Sequence, residues 1–302
     1  MLKLREEIKT KAEKKGVKIS GLESVPYIVQ GRPLYDFAGI DQNLLKELGQ
    51  DEDDLFMANG LMNIAVFPDG RVEPLKTVSK QYNLIQHLDA INQVIDNVPD
   101  EYKLDKIQVH TSNNGGRILA KLFSEKKTEV KKGDMVQLVS TLQNSADTSK
   151  LYRMMASAMR LVCTNGMVAP DSRFKLETVR KLHKGNLDLN TQIKGFFENM
   201  EEVAQSLDQW KEYNKVKVDT PIMDTIFERL EVGPRVQEEL LDITLKGENN
   251  SVRNLLGDGK LTAWDTYNAF TQRITESDSE EHVKVERGAK VSEFFDNLVF
   301  AA

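Results

Sequence analysis

Cysteine is nearly absent from this chain. Cys163 is the only one among 302 residues, which excludes an intramolecular disulfide and any multi-cysteine metal site, and suits a reducing compartment. The cytoplasm is therefore the expected location. Histidine is scarce as well: His87, His110, His183 and His282 are scattered, without the HxxxH or HExxH spacing of a histidine-based metal site. No GxxxxGK[ST] loop is present, and no GxGxxG follows a strand, so nothing points to a nucleotide-driven motor or a dehydrogenase. No run of about 18 apolar residues occurs, which argues against a membrane partner. The first sixteen residues mix Lys with Glu and lack an apolar core, so they read as an exposed helix or tail rather than a secretory signal. No cofactor and no metal are expected.

What is present is a soluble, globular composition long enough for two ordinary domains or one large one. Its charge is unevenly spread. Residues 150–184 hold eight Lys/Arg against two acids, a net +6, whereas the whole chain is −6 and the rest therefore −12. A short cationic segment in an acidic chain is the asymmetry expected of a local anion or nucleic-acid site. A solvated helix face is the plainer alternative.

Hydropathy patterning orders the rest. IAVF, the turn Pro68-Asp69-Gly70 and a second strand predict a hairpin. Tyr82, Ile85, Leu88, Ile91 and Ile95 recur at three or four and predict a helix. KIQVHTS, RILAKLFSE and DMVQLVSTLQNS alternate, separated by Asn113-Asn114-Gly115-Gly116 and Lys131-Lys132-Gly133, and predict an antiparallel meander. A helix with Lys150, Arg153, Ser157 and Arg160 on one face is expected next, ending at Asn165-Gly166. The second half reads as helical, with Ile193, Phe196 and Phe197 as core, residues 246–260 as a polar loop, and Trp264, Tyr267 and Phe270 on an amphipathic helix. The expected fold is α+β: an antiparallel β-meander packed with helices, in a helix-strand-strand-strand-helix core, followed by a mostly helical C-terminal region. Small elements at 1–60, the core at 61–186 and the helical region at 187–302 are the expected domains.

Candidate chemistry is sparse. Cys163 with His183 as a nucleophile pair is weighed against a small buried hydrophobe, which is the commoner role of a lone cysteine. Asp51, Glu52, Asp53 and Asp54 are adjacent, an arrangement that rarely converges on a metal, so a metal-dependent nuclease is disfavoured. Binding is thus a better class of explanation than catalysis. Cations along a groove neutralise phosphates while aromatic rings stack on bases. The candidates for the first role are Lys150, Arg153, Arg160, Arg173, Lys175, Arg180, Lys181 and Lys184, and for the second Tyr152 and Phe174. Lys121, Lys126, Lys127, Lys131 and Lys132 either widen the patch or guard an edge strand.

Five segments in order resemble a phage and plasmid family known as domain of unknown function 932. They are GIDQNLL at 39–45, VSKQYNLIQHLDAINQVIDN at 78–97, MVQLVSTLQNSAD ahead of RLVCTNGM at 160–167, VRKLHKGN at 179–186, and TAWDTYNAFTQ at 262–272. Where the family tends to have Arg-His-Thr, this chain has Lys181-Leu182-His183-Lys184. The resemblance implies a phage or mobile-element setting, and it supplies no activity. The expected element order also looks like the core of Rad fifty-two type annealing proteins, which would line a DNA groove here with Lys150, Arg153 and Arg160 and implies an oligomeric ring. The leading expectation is a non-catalytic, phage-encoded single-stranded DNA-binding or annealing protein of replication or recombination. The alternative is a protein-interaction factor acting on a host or phage machine through the acidic remainder and the ESDSEE tract, without binding nucleic acid.

Overall fold

Apolar residues four apart decide the first element. Leu4, Ile8 and Ala12 form a stripe on helix α1 (Leu2–Lys14), and the last two are wholly buried. Of the expected exposed helix or tail, the helix is present but packed rather than exposed; Lys11 reaches Asn92 and Asp96 at 3.0 and 2.8 Å, and Arg5 donates to the Val25 carbonyl. The computed structural model describes residues 2–32, 61–79, 81–100, 102–160, 169–170, 180–181, 189–198, 207–245 and 250–300.

Strand β1 (Lys18–Ser20) leads through a 3-10 turn (Leu22–Ser24) to β2 (Tyr27–Arg32), β3 (Leu61–Val66) and β4 (Val72–Val78). β3 and β4 are the expected hairpin, with Gly70 at φ +85 in the turn. With β2 they make a three-stranded antiparallel sheet. Its two edges are blunted differently. Pro74 sits in edge strand β4, where it has no N–H to offer another chain. At β2 the Gln86 side chain imitates a strand, accepting from Ile28 N at 2.9 Å and donating to Ile28 O at 2.6 Å. Ile28, Ala65, Phe67 and Ala146 form the apolar cluster beneath this sheet.

Helix α2 (His87–Asn97) buries Leu88, Ile91, Val94 and Ile95 as the spacing requires, but begins only after Gln86, so Tyr82 and Ile85 precede it. Then come β5 (Leu104–Ser112), β6 (Arg117–Lys131), β7 (Asp134–Ser145) and β8 (Tyr152–Arg160). The last is a correction, because the pattern predicts a basic helix where β8 stands. Helix propensity is a weak prior, and the open N–H and C=O groups on the flank of β7 offer 152–160 a backbone ladder that overrides it. Two short strands, β9 (Ala169–Pro170) and β10 (Arg180–Lys181), pair β8. The large sheet runs β1-β5-β6-β7-β8-β10, with β9 also on β8; β1 lies parallel to β5, and β9 and β10 lie antiparallel to β8.

The chain forms two compact units, each discontinuous in sequence: Met1–Leu122, Thr141–Met154 and Glu177–Glu198; and Phe123–Ser140, Met155–Leu176 and Asn199–Ala302. The first includes α3 (Leu189–Glu198), whose Ile193, Phe196 and Phe197 are core as expected, Phe197 lying 5.1 Å from Tyr102.

The second holds the expected helical region: a 3-10 stretch (Leu207–Asn214), α4 (Thr220–Arg229), α5 (Pro234–Asp242), α6 (Val252–Gly257), α7 (Ala263–Glu276) and α8 (Glu281–Phe300). α6 interrupts the expected loop at 246–260, started by the Ser251 hydroxyl accepting from Asn254 N. α7 starts at a reciprocal capping box between Thr262 and Asp265. Trp264 packs on Trp210, Tyr213 and Tyr267, and its indole N–H donates to Asp134 at 2.7 Å. Lys131 pairs with Asp265 at 3.1 Å, so this hairpin lysine is engaged inside the unit.

Backbone geometry gives a stability test. Gly21 has φ +79, and a Cβ there would lie 1.9 Å from the Val109 carbonyl oxygen, whereas Gly16, at φ +72, has open space. Gly21→Ala is expected to cost roughly 2–4 kcal/mol by strain plus collision, and Gly16→Ala about 1 kcal/mol by strain alone, in urea unfolding. Equal losses would remove the close approach as the reason.

Candidate nucleic-acid interface

The β5–β6 and β7–β8 turns meet at one end of the first unit. Asn113, Asn114 and Gly115 have φ values of 48, 51 and 76, and Thr148 has φ 63, so both turns pass through the left-handed region. Asp147 holds them together. Its carboxylate accepts from Asn113 Nδ2, Arg117 Nε, Ser149 N and the Ser149 hydroxyl. Burial pushes the Asp147 pKa up, but the Ser149, Arg117 and Asn113 hydrogen bonds outweigh it and hold the carboxyl below the usual carboxylate range. Tyr82 donates to the Ser145 carbonyl at 3.0 Å, and burial, then the Asp147 charge, raises its own pKa.

A second set of bonds ties this end to its surroundings. His87 is fully buried; its Nε2 lies 3.0 Å from the Gly115 carbonyl and its Nδ1 3.0 Å from Asn144 Nδ2. A carbonyl only accepts and an amide NH2 only donates, so the ring carries its proton on Nε2. Asn63 Nδ2 donates to the Ala146 carbonyl at 2.7 Å, joining the small sheet to the same turn. A Cβ on Gly115 would sit 2.5 Å from Pro26 Cγ, so the chain passes too close there for a larger residue.

The turn delivers the chain into the cationic strand. Lys150 N donates to the Ser145 hydroxyl at 3.1 Å, and that hydroxyl donates to the Lys150 carbonyl at 2.7 Å. Arg153 Nε donates to Gln143 Oε1 at 2.6 Å. Across the ladder, Arg180 is the register partner of Arg153 and Lys181 that of Tyr152. Three of the expected cations, Arg153, Arg180 and Lys181, thereby share the β8–β10 ladder, and Lys150 lies two residues before β8.

Other expectations fare differently. Arg160 closes β8, but the helical wheel that groups it with Lys150 and Arg153 does not apply to a strand. Tyr152 is 0% exposed, so it belongs to the core and offers no face to a base. Lys121 is 8% exposed and does not widen a surface patch. Arg173, Phe174, Lys175 and Lys184 lie outside the described residues, as do Cys163, His183 and the acids at 51–54. Among the described residues there is no group of three or more His, Cys, Asp or Glu placed to hold a metal, and no helix long and apolar enough to cross a membrane.

Sequence reading missed a cleft of about 340 Å³ beside the turn, bounded by residues 23–24, 67–71 and 111–115. Its signal was faint: Asn-Asn-Gly-Gly and Pro-Asp-Gly mark turns, but not that the two turns lie together.

The family comparison bears on the same region. Residues 74–292, well over half of the chain, match the family described as Domain of unknown function (DUF932). The chain belongs to this family. Four of the five resembling segments fall inside the matched range, including the residues around Asp147. No curated protein and no solved structure matches. The order helix, three strands and basic helix, on which the likeness to annealing proteins rests, is not the order of this DUF932 chain, since β8 replaces the second helix.

Asp147 makes the turn pH-sensitive. With a pKa below its unfolded value near 3.8, its stabilisation is fully present above about pH 4 and is lost as pH falls through the lower folded value. Asp147→Asn is expected to cost about 1–3 kcal/mol at pH 7 and to shrink the difference in urea stability between pH 7 and pH 3. An unchanged acid profile would assign that sensitivity elsewhere.

Proposed function

We propose that this protein binds single-stranded nucleic acid along the β8 and β10 edge, tolerantly of sequence and without catalysis, in phage-type replication or recombination. The observation that carries the reading is the pairing of Arg153 with Arg180 in the ladder. Like charges directly opposite on neighbouring strands destabilise a sheet, so two arginines in register favour an anion that bridges them. A phosphodiester backbone presents such anions at regular spacing, and Lys150, two residues before β8, lies near the same edge along the chain. The acidic remainder of the chain would confine a polyanion to this edge.

The test is a fluorescent 15-mer single strand titrated across a salt series with duplex as competitor. Affinity is expected to fall with a log–log slope of about −0.7 per phosphate neutralised. Arg153→Gln together with Arg180→Gln should weaken binding about tenfold at 50 mM salt and flatten the slope by about 1–1.5, since each of the two removed cations accounts for about 0.7. Unchanged affinity in the double variant, with folding verified by circular dichroism, would overturn the proposal.

A further inference from the structure

We infer that the cleft bounded by residues 23–24, 67–71 and 111–115 is a subsite for one nucleobase that carries an exocyclic amino group. The inference rests on the single-strand reading above and gives the strand's bases a place. The volume of about 340 Å³ lies at the small end of ligand pockets, suited to a nucleoside-sized group. Its charged side chains are Glu23, Asp69 and Arg71, one cation against two carboxylates, so the cleft itself does not favour a phosphate. Asp69 already accepts from Arg71 N at 3.0 Å within its own turn, yet each carboxylate oxygen can accept more than one hydrogen bond and none can donate, which favours ligands with N–H donors. Cytosine, adenine and guanine offer an exocyclic NH2 with two donors, whereas uracil and thymine offer only the single ring N3–H between two carbonyls that a carboxylate repels.

Arg71 supplies the platform. Its guanidinium carbon lies 3.8 Å from the centroid of the Phe67 ring, which is itself buried, while the arginine side chain is 51% exposed. Phe67 therefore fixes the guanidinium from below and leaves a flat cationic face for a base to stack on. Hydroxyls of Ser24, Thr111 and Ser112 complete a lining that can meet ring nitrogens and carbonyls. The cleft is coupled to the cationic strand through one side chain: Asn113, beside its wall, donates to Asp147, three residues before Lys150.

Cytidine and uridine differ at the C4 amine and the adjoining N3, so they make the deciding pair. Each is titrated into the full chain while the amide resonances of Thr111, Ser112 and Gly115 are followed, and oligo(dC) and oligo(dU) 15-mers are compared by fluorescence. Cytidine is expected to shift these amides and to bind at least about fivefold more tightly than uridine. Oligo(dC) should show the same preference. Glu23→Gln with Asp69→Asn should erase the difference, and Arg71→Ala should weaken both nucleosides. Equal binding of the two nucleosides, shifts confined to other amides, or a preference that survives the double variant would overturn the inference, while salt-dependent oligonucleotide binding would still stand. Nucleoside binding at the cleft without any oligonucleotide binding would instead sink the single-strand reading.

Discussion

A carboxylate taken out of water must be met by donors, and at the end of the large sheet that condition falls on Asp147. Its side chain is 3% exposed and accepts from Asn113, Arg117 and Ser149. Each donor lies on a different piece of chain, so satisfying one buried charge positions the 113–116 turn, the start of β6 and the approach to β8 together. The Ala146 carbonyl beside it receives Asn63 from the small sheet, and Gly115 on the opposing turn receives the His87 ring. A single polar junction thereby holds α2, both sheets and the entry to the cationic strand in one arrangement.

That junction also sets where the chain enters the strand that carries Arg153. Lys150 follows Asp147 by three residues and is held at its backbone by the Ser145 hydroxyl. β10, thirty residues later in sequence, returns two further cations to the same ladder. Placing arginines opposite each other costs stability that a neutral pair would not. On the function proposed above, an anionic partner at this edge would offset that cost.

Much of the scaffold was legible in local pattern. The hairpin through Gly70, the three alternating strands and the aromatic helix bearing Trp264 and Tyr267 all appear where periodicity and turn residues put them. Failures occurred where a local preference met a tertiary partner. Residues 152–160 carry Met and Ala, which suit a helix, yet they extend the sheet because the flank of β7 offers them backbone hydrogen-bonding partners. Strand geometry likewise sends Tyr152, an expected stacking group, into the core. α1 reads as exposed in sequence because Lys and Glu outnumber its narrow Leu4, Ile8, Ala12 stripe, of which the fold buries Ile8 and Ala12.

By itself the sequence determined the class of the fold, the excess of positive charge between 150 and 184, and the want of nucleotide, metal and disulfide motifs, because composition and short-range spacing carry those. Tertiary structure alone decided which cations share an edge. Arg153 and Arg180 are 27 positions apart, and only strand pairing converts that separation into register. The cleft between the 67–71 and 111–115 turns arose the same way: a turn residue announces a reversal of the chain, while the neighbour it meets is set by which buried polar groups must be satisfied at once.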